Sequence, residues 1–383
     1  MSKSNETTPN VPTLRFKQFQ DNWSSKRLSD IAEVVGGGTP DTTDSTLWNG
    51  DIQWFTPTEV GHSKYVSMSV RTISQLGLQK SSAKILPAGS ILLSSRATVG
   101  ECSIAQKDCT TNQGFQNLIP KKGINNEFLY YLAQTQKRHF IKYASGSTFL
   151  EISNSEIKKT KCAVPGIKEQ TEIATFLSAI DKKIETQNKI ISKYETLIKG
   201  IRERIVNCGW QWKKLDELIQ EGIVRLNRGN IIPKHQKDNA YKYPVYSSST
   251  QNNGLMGYND TYMFDKELIT WSIDGGGNFF YRKKHKFNVT NVCGILQVDE
   301  NVYSYRFIAE MLTYQHSKMK FDYQSKAHPS VISSLYSLPC LPISEQNSYC
   351  RLFIALDKKM QIEQCCLNKL KEQKKYLLSK MFI

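Results

Sequence analysis

Two triplets, Asp181-Lys182-Lys183 and Asp357-Lys358-Lys359, are the residues whose type and spacing come nearest to bond-breaking chemistry. D-x-K is a pattern with which metal-dependent nucleases hold a cation and steer a water. The match stops there, because neither triplet has a further acidic partner close upstream. Other chemistries fail on residue type. No G-x-x-x-x-G-K-[ST] phosphate loop occurs, and Gly36-Gly37-Gly38 runs into Thr39-Pro40-Asp41 without completing G-x-G-x-x-G. Methyl transfer to a base amine would want an NPPY- or DPPY-like loop, which is absent. The six His are scattered, and the nine Cys form no CxxC pair; with no HxxxH either, nothing supports a zinc site. Cys102 and Cys109, and the adjacent Cys365 and Cys366, are expected to be thiols in a reducing cytosol. The Asp-Lys-Lys triplets then read as surface charge on long helices. The chain reads as a binder, not a catalyst.

The elements around those triplets occur twice. Ile167-x-Glu169-Gln170, ten residues, then Asp181-Lys182-Lys183 is answered by Ile343-x-Glu345-Gln346, ten residues, then Asp357-Lys358-Lys359, 176 residues later. Trp23-x-x-Lys26-Arg27-Leu28 is answered by Trp210-x-x-Lys213-Lys214-Leu215. Thr111-Asn112 pairs with Thr290-Asn291, and Phe128-Leu-Tyr-Tyr-Leu with Phe307-Ile-Ala-Glu-Met. A block followed by a helix, present twice, predicts a pseudo-twofold protein suited to a target with two separated parts, as a DNA site with two half-sites is.

Each block predicts a compact α+β domain. Ala88–Ser95 and Glu267–Ser272 read as buried strands, while Asn126–Lys137 and Ser304–Tyr314 carry helical spacing. Trp23 and Trp210 read as core anchors, and Lys283-Lys284-His285-Lys286 as a solvated turn or a basic stretch on the side that faces a polyanion. The two helices carry heptads: Leu177, Ile184, Ile191, Ile198 and Ile205 in one, Phe353, Met360, Leu367, Lys374 and Met381 in the other. Gln187 and Glu363 interrupt the two seams at the same heptad position. Such apolar seams need partners, and the economical arrangement is two antiparallel helices within the chain. The boundaries expected are an extension over 1–20, blocks over 21–165 and 208–341, and helices over 166–207 and 342–383.

At 383 residues and 39% hydrophobic, with 18 Tyr and 16 Phe, the chain is long enough for two or three packed domains. A net charge of +16 favours a polyanionic partner. No apolar run approaches the length of a membrane span, and residues 1–12 lack an apolar signal core, so a cytoplasmic location is expected.

At this point the residues carry a resemblance. The alternation of block, long helix, block and matching terminal helix resembles the specificity subunit of type I restriction-modification systems. Shorter phrases resemble that family too: Leu14-Arg15-Phe16, Gly37-Gly38-Thr39-Pro40, Gly50-Asp51-Ile52-x-Trp54, Ser94-Ser95-Arg96-x-Thr98-x-Gly100, Thr111-Asn112-Gln113-Gly114-Phe115, Tyr243-Pro244-Val245-Tyr246-Ser247-Ser248 and Leu378-Ser379-Lys380-Met381-Phe382. The resemblance implies two target recognition domains, each reading one half of a split, asymmetric site on double-stranded DNA. The helices would be the spacer. Two modification subunits would dock and methylate adenine with S-adenosylmethionine, a cofactor this chain itself would not bind. A motor-nuclease restriction subunit would join them, and the chain would be non-catalytic. Competing readings are a coiled-coil adaptor, an orphan DNA-binding protein without a restriction partner, and an enzyme in its own right.

Within that frame several residues are candidates for contact with DNA. Arg96, after a strand and beside Thr98, can reach guanine O6 and N7, contact a phosphate, or form a structural ion pair. Asn112 and Gln113 suit adenine or cap a turn. Ser247, Ser248, Asn252 and Asn253 form a polar loop that either reads bases or simply turns. Asp274 can accept from cytosine N4 or hold the glycine turn beside it. Lys326 and His328, in a loop expected to answer Ser145–Thr148, are phosphate candidates or solvated surface. Ser272–Gly277 replaces Ser94–Thr98 in the second block, so the two should read different half-sites.

Overall fold

The computed structural model describes residues 11–146, 150–232, 242–249, 251–319 and 326–383. They form two compact units, one of residues up to 188 together with 366–383, the other of residues 189–365. The long helices Ile167–Asn207 and Ile343–Met381 therefore each contribute to both units.

The first unit is α+β. Its five-stranded sheet runs in the order Ala32–Gly36, Gln116–Pro120, Ile91–Leu93, Cys102–Ala105, Tyr65–Val66. A three-stranded sheet of Arg71–Ile73, Trp48–Phe55 and Cys109–Thr111 adds a satellite core around Trp48 and Trp54. The second unit has one six-stranded sheet: Val224–Arg228, Cys293–Val298, Phe264–Ser272, Phe279–Val289, Tyr243–Tyr246, Leu255–Asn259. Its first four strands repeat the order of the first four in the other unit. The Trp-x-x-Lys phrase explains itself in both. Ser24–Arg27 pairs with Lys161–Val164, and Trp212–Lys214 with Ser337–Pro339. The Leu that follows is fully buried each time, its N–H donating to Thr160 or Tyr336. Trp23 is a core anchor between Phe128 and Phe382, whereas Trp210 is only half-buried.

The seams have the partners that their spacing demanded. In the first unit Leu377, Met381 and Phe382 join the core with Ile173, Leu177 and Ile180. Leu14 bonds to the Lys380 carbonyl while its neighbour Arg15 holds Glu169, and Lys374 pairs with Asp181 at 2.7 Å. The terminal helix thus ascends where the other descends, and the two are antiparallel there. In the second unit Ile198 and Ile205 pack with Phe353 and Leu356. Burial of these apolar stripes, at roughly 25 cal/mol per Å², is the main force holding each helix pair to its block.

The repeated Gln is a buried staple. Gln170 accepts from Asn125 N–H and donates to the carbonyls of Gly123 and Pro165. Gln346 accepts from Ser304 N–H and donates to Val302 and Leu341. Each ties the start of a long helix to the loop before a buried helix, Asn126–Thr135 or Tyr305–Lys318.

Three expectations need correction. Asp181 and Asp357 are not surface charge: Asp181 accepts from the Tyr131 hydroxyl at 2.6 Å, and Asp357 from Arg306 at 2.7 Å. Only the lysines of each triplet are solvated. The run Lys283–Lys286 is no turn but the middle of strand Phe279–Val289, whose aromatic flanks favour extended backbone. The extension expected over 1–20 packs, in its described residues, against the first long helix. Arg15 makes a bidentate pair with Glu169 at 2.7 and 2.8 Å, and Phe16 meets Phe176 edge-on. The buried strand expected over Ala88–Ser95 is regular only over Ile91–Leu93: Gly89 turns the chain before it with φ +90°, and beyond it Ser94 keeps an isolated bridge to Phe115.

Candidate nucleic-acid interface

Three of the four candidates in the first unit share one cavity. Arg96, Asn112 and Gln113, with Pro57, Ala97 and Gly114, line a hollow of about 280 Å³. The Gly-Gly-Thr-Pro loop packs behind Asn112 and Gln113 and supports their side of the hollow. A Cβ at Gly37 would stand 2.0 Å from the Asn112 carbonyl, so only glycine lets the loop lie this close. Gly38 N–H donates to Thr111 O, and the hydroxyl of Thr39 then meets Gln113. Arg96 and Ala97 of the turn after strand Ile91–Leu93 line the hollow as well, and Ala97 holds φ +62°, uncommon without glycine. Thr98 does not reach into the cavity with a free hydroxyl, which instead lies 3.0 Å from Ser94 Oγ.

The amides are already partly committed. Asn112 Oδ1 accepts from Gly114 N–H at 2.9 Å, and Gln113 Oε1 accepts from Thr39. Both keep their N–H groups. Reading adenine with one amide needs an acceptor and a donor together, and one of the two lone pairs of the Asn112 acceptor is already used by its own turn. With Arg96 the cavity offers donors, a match for acceptor-rich guanine edges or phosphate oxygens.

In the second unit the candidates gather beyond the end of strand Phe264–Ser272. Asp274 lies 3.5 Å from Lys326 Nζ. Ser248 is locked: its hydroxyl donates to Val292 O, and its carbonyl accepts from Ser272 Oγ, both at 2.6 Å. Ser247 accepts from Thr290. The turn at Gly275–Gly277 passes so close to Ser248 that a Cβ at Gly275 would meet its carbonyl at 2.3 Å. Asn252 and Asn253 are exposed and left-handed, with φ of +49° and +52°, followed by Gly254 at +77°. Asn is among the few residues that tolerate this conformation. His328 is the residue before helix Pro329–Leu335, its N–H donating to Lys326 O.

The loop that holds Lys326 answers a different segment from the one expected. Ala327 N–H bonds to Ile273 O as Ile152 N–H bonds to Ser95 O. Lys326 therefore corresponds to Glu151, and Asp274 to Arg96. Ser147 and Thr148 lie outside the described residues.

Two residues escaped the sequence reading. Glu151 pairs with Arg96 at 3.7 Å. Arg282 is buried beneath Tyr246, 3.6 Å from its ring, with Nε donating to Thr270. Burial pushes its guanidinium down to about 10. No spacing rule marks either residue, since one acts across a loop and the other sits inside a run of ordinary basic residues. Among the described residues no cluster of His, Cys, Asp and Glu could hold a metal ion, and no helix is long and apolar enough to cross a membrane.

A twice-repeated α+β block, each on a long helix pair and each ending in a polar loop cluster, defines a tandem recognition scaffold. The chain belongs to the family described as type I restriction modification DNA specificity domains, whose model matches residues 20–196 and 207–372. It is 41% identical over 239 residues to the type I restriction enzyme MjaIX specificity subunit of Methanocaldococcus jannaschii, covering 56% of this chain and 54% of that protein. To the HindI specificity subunit of Haemophilus influenzae it is 28% identical over 184 residues, 46% of this chain and 40% of that one. The chain spans about half the length of the curated relatives it matches. The fold is that of a solved type I system S subunit from M. genitalium, with TM-score 0.62 at 18% identity, over 97% of this chain and 99% of that one.

Proposed function

We propose that the chain is a non-catalytic, sequence-specific DNA-binding subunit of a type I restriction-modification complex. Target recognition domains over 21–165 and 208–341 each read one half of a bipartite, asymmetric site. The helices over 166–207 and 342–383 are the spacer between them. The observation that carries this reading is the donor-lined cavity of Arg96, Asn112 and Gln113, with a differently composed loop cluster at the equivalent end of the second block. Two clusters on one repeated frame suit a target whose halves differ. The net charge of +16 suits the phosphate backbone, and affinity should fall steeply with salt. Asn252, Asn253, Asp274, Lys326 and His328 flank these clusters as base or phosphate contacts, while Thr98, Ser247 and Ser248, whose hydroxyls are bonded within the protein, hold the loops that carry them.

On this reading two modification subunits dock on the chain and methylate adenine with S-adenosylmethionine, which this chain does not bind. A restriction subunit completes the complex, and the assembly works in the cytoplasm. The test is methylome sequencing of cells co-expressing the chain with the methyltransferase encoded beside it. A split motif with methyladenine in both halves is the expected result. No new methylation, with both proteins soluble and associated, overturns the reading.

A further inference from the structure

The two recognition blocks carry the same ion pair with its charges exchanged. Backbone hydrogen bonds fix the correspondence: Ile152 N–H to Ser95 O in one, Ala327 N–H to Ile273 O in the other. The residue after each acceptor is Arg96 or Asp274, and the residue before each donor is Glu151 or Lys326. Arg96 Nε lies 3.7 Å from Glu151 Oε2, and Lys326 Nζ lies 3.5 Å from Asp274 Oδ1. In the first block the cation is on the strand-end turn; in the second the anion is.

Stability does not explain these pairs. Both are well exposed, with side chains 38–64% accessible in the second block and near 47% in the first. An exposed pair at this separation stabilises a fold very little. What the pairs do is aim. Glu151 is itself held on both sides, exchanging backbone hydrogen bonds with Ser145 on one side and bridging to Arg96 on the other. It faces the Nε edge of Arg96, which leaves the two terminal nitrogens to meet a base edge together. In the mirror arrangement, Lys326 takes one oxygen of Asp274 and leaves the other.

We propose that Glu151 and Lys326 are specificity-determining positioning residues. Each holds the reading group on the strand-end turn, Arg96 in one block and Asp274 in the other. The inference rests on the DNA-reading function above and adds a rule to it. The half-site under the first block has a guanine where Arg96 reaches, because two terminal N–H groups match O6 and N7. The half-site under the second has an amino-bearing base, cytosine or adenine, where Asp274 accepts.

The test compares methylomes of cells co-expressing the methyltransferase with wild type, Glu151→Gln, Glu151→Asp or Lys326→Gln. Glu151→Gln should relax one G·C pair in one half-site, with discrimination there falling about tenfold. The other half-site and the gap should not change. Glu151→Asp, which keeps the charge, should restore most of that discrimination, a rescue that a packing role would not give. Lys326→Gln should relax one pair in the opposite half-site only. The proposal is overturned if both Gln variants keep the wild-type motif, or if either weakens a whole half-site evenly without relaxing one base pair. A wild-type chain that directs no split motif would instead sink the DNA-reading function itself, and this inference with it.

Discussion

The joint between block and long helix is built at the same place in both units, from different chemistry. In the first unit Tyr131 donates to Asp181, which also pairs with Lys374, while the half-buried Lys64 joins Glu127 at 3.1 Å. Burial works against the Glu127 carboxylate, yet hydrogen bonds from Tyr65, Ser178 and Lys64 outweigh it and hold its pKa below the ordinary range. In the second unit the position of Tyr131 is Glu310, buried between Arg202 and Arg306, and Arg306 reaches on to Asp357. The Gln staples are identical and the Asp is kept, but a neutral phenol has become a charge. The backbone frame therefore specifies the joint, and side chains of either kind satisfy it. The two joints should fail differently.

The largest effect is expected at Glu310. Glu310→Ala leaves Arg202 and Arg306 facing each other with no anion between them, and should cost about 3 kcal/mol. Tyr131→Phe at the equivalent place removes a hydroxyl that donates to Asp181 and also meets Lys64 and Ser178, but Asp181 keeps Lys374, and the change should cost about 1 kcal/mol. Because the chain is two units and not one cooperative block, the readout should be local. Hydrogen exchange at Tyr305–Lys318 and Asn126–Thr135, followed by mass spectrometry, supplies it. Equal losses in the two variants would refute the charge difference as the distinction between the joints.

Where the joints agree, the responses should agree. Gln170→Ala and Gln346→Ala each strand one buried N–H and two carbonyls, and each should cost about 2 kcal/mol. The two values should match closely, since the bonding partners correspond one for one. If one staple proved dispensable, the repeated frame would not be the common foundation argued for.

How far the sequence disclosed all this follows the range of each interaction. The heptads and the Ile-x-Glu-Gln phrase are local patterns, and they placed both helices because periodic burial leaves a periodic trace. The same phrase hid its roles. Glu169 pairs with Arg15, whereas Glu345 is exposed, so identical letters do different things. Asp181 and Asp357 looked like surface charge because their partners, Tyr131 and Arg306, lie about fifty residues away in the chain. At the site, Arg96, Asn112 and Gln113 were legible as polar residues beside small turns, and the fold does bring them together. Glu151 was not, because its meaning depends on a backbone pairing across loops that no spacing announces. Arg282 was lost among Lys283, Lys284 and Lys286, since strict alternation would place Lys284 and Lys286 on its own face, and a register shift in the pairing with Lys266–Leu268 intervenes.

The smallest expected effect is a pH response confined to the second unit. His316, on helix Tyr305–Lys318, sits with Nδ1 2.7 Å from the Tyr336 hydroxyl and its ring against Phe279. Burial lowers its pKa below the ordinary 6.5. A group with a depressed folded value takes up its proton more readily when unfolded. Its contribution to stability is present above pH 6.5 and is lost as pH falls through the folded value. The equivalent residue in the first unit is Lys137, a surface partner of Glu101 and not a histidine. Lowering pH from 7.5 to 5.5 should therefore loosen Tyr305–Lys318 and leave Asn126–Thr135 unchanged, once exchange rates are corrected for their intrinsic pH dependence. His316→Gln should flatten that response. A response surviving in His316→Gln, or appearing equally in both units, would assign it to carboxylates shared by the two joints and remove histidine from the comparison.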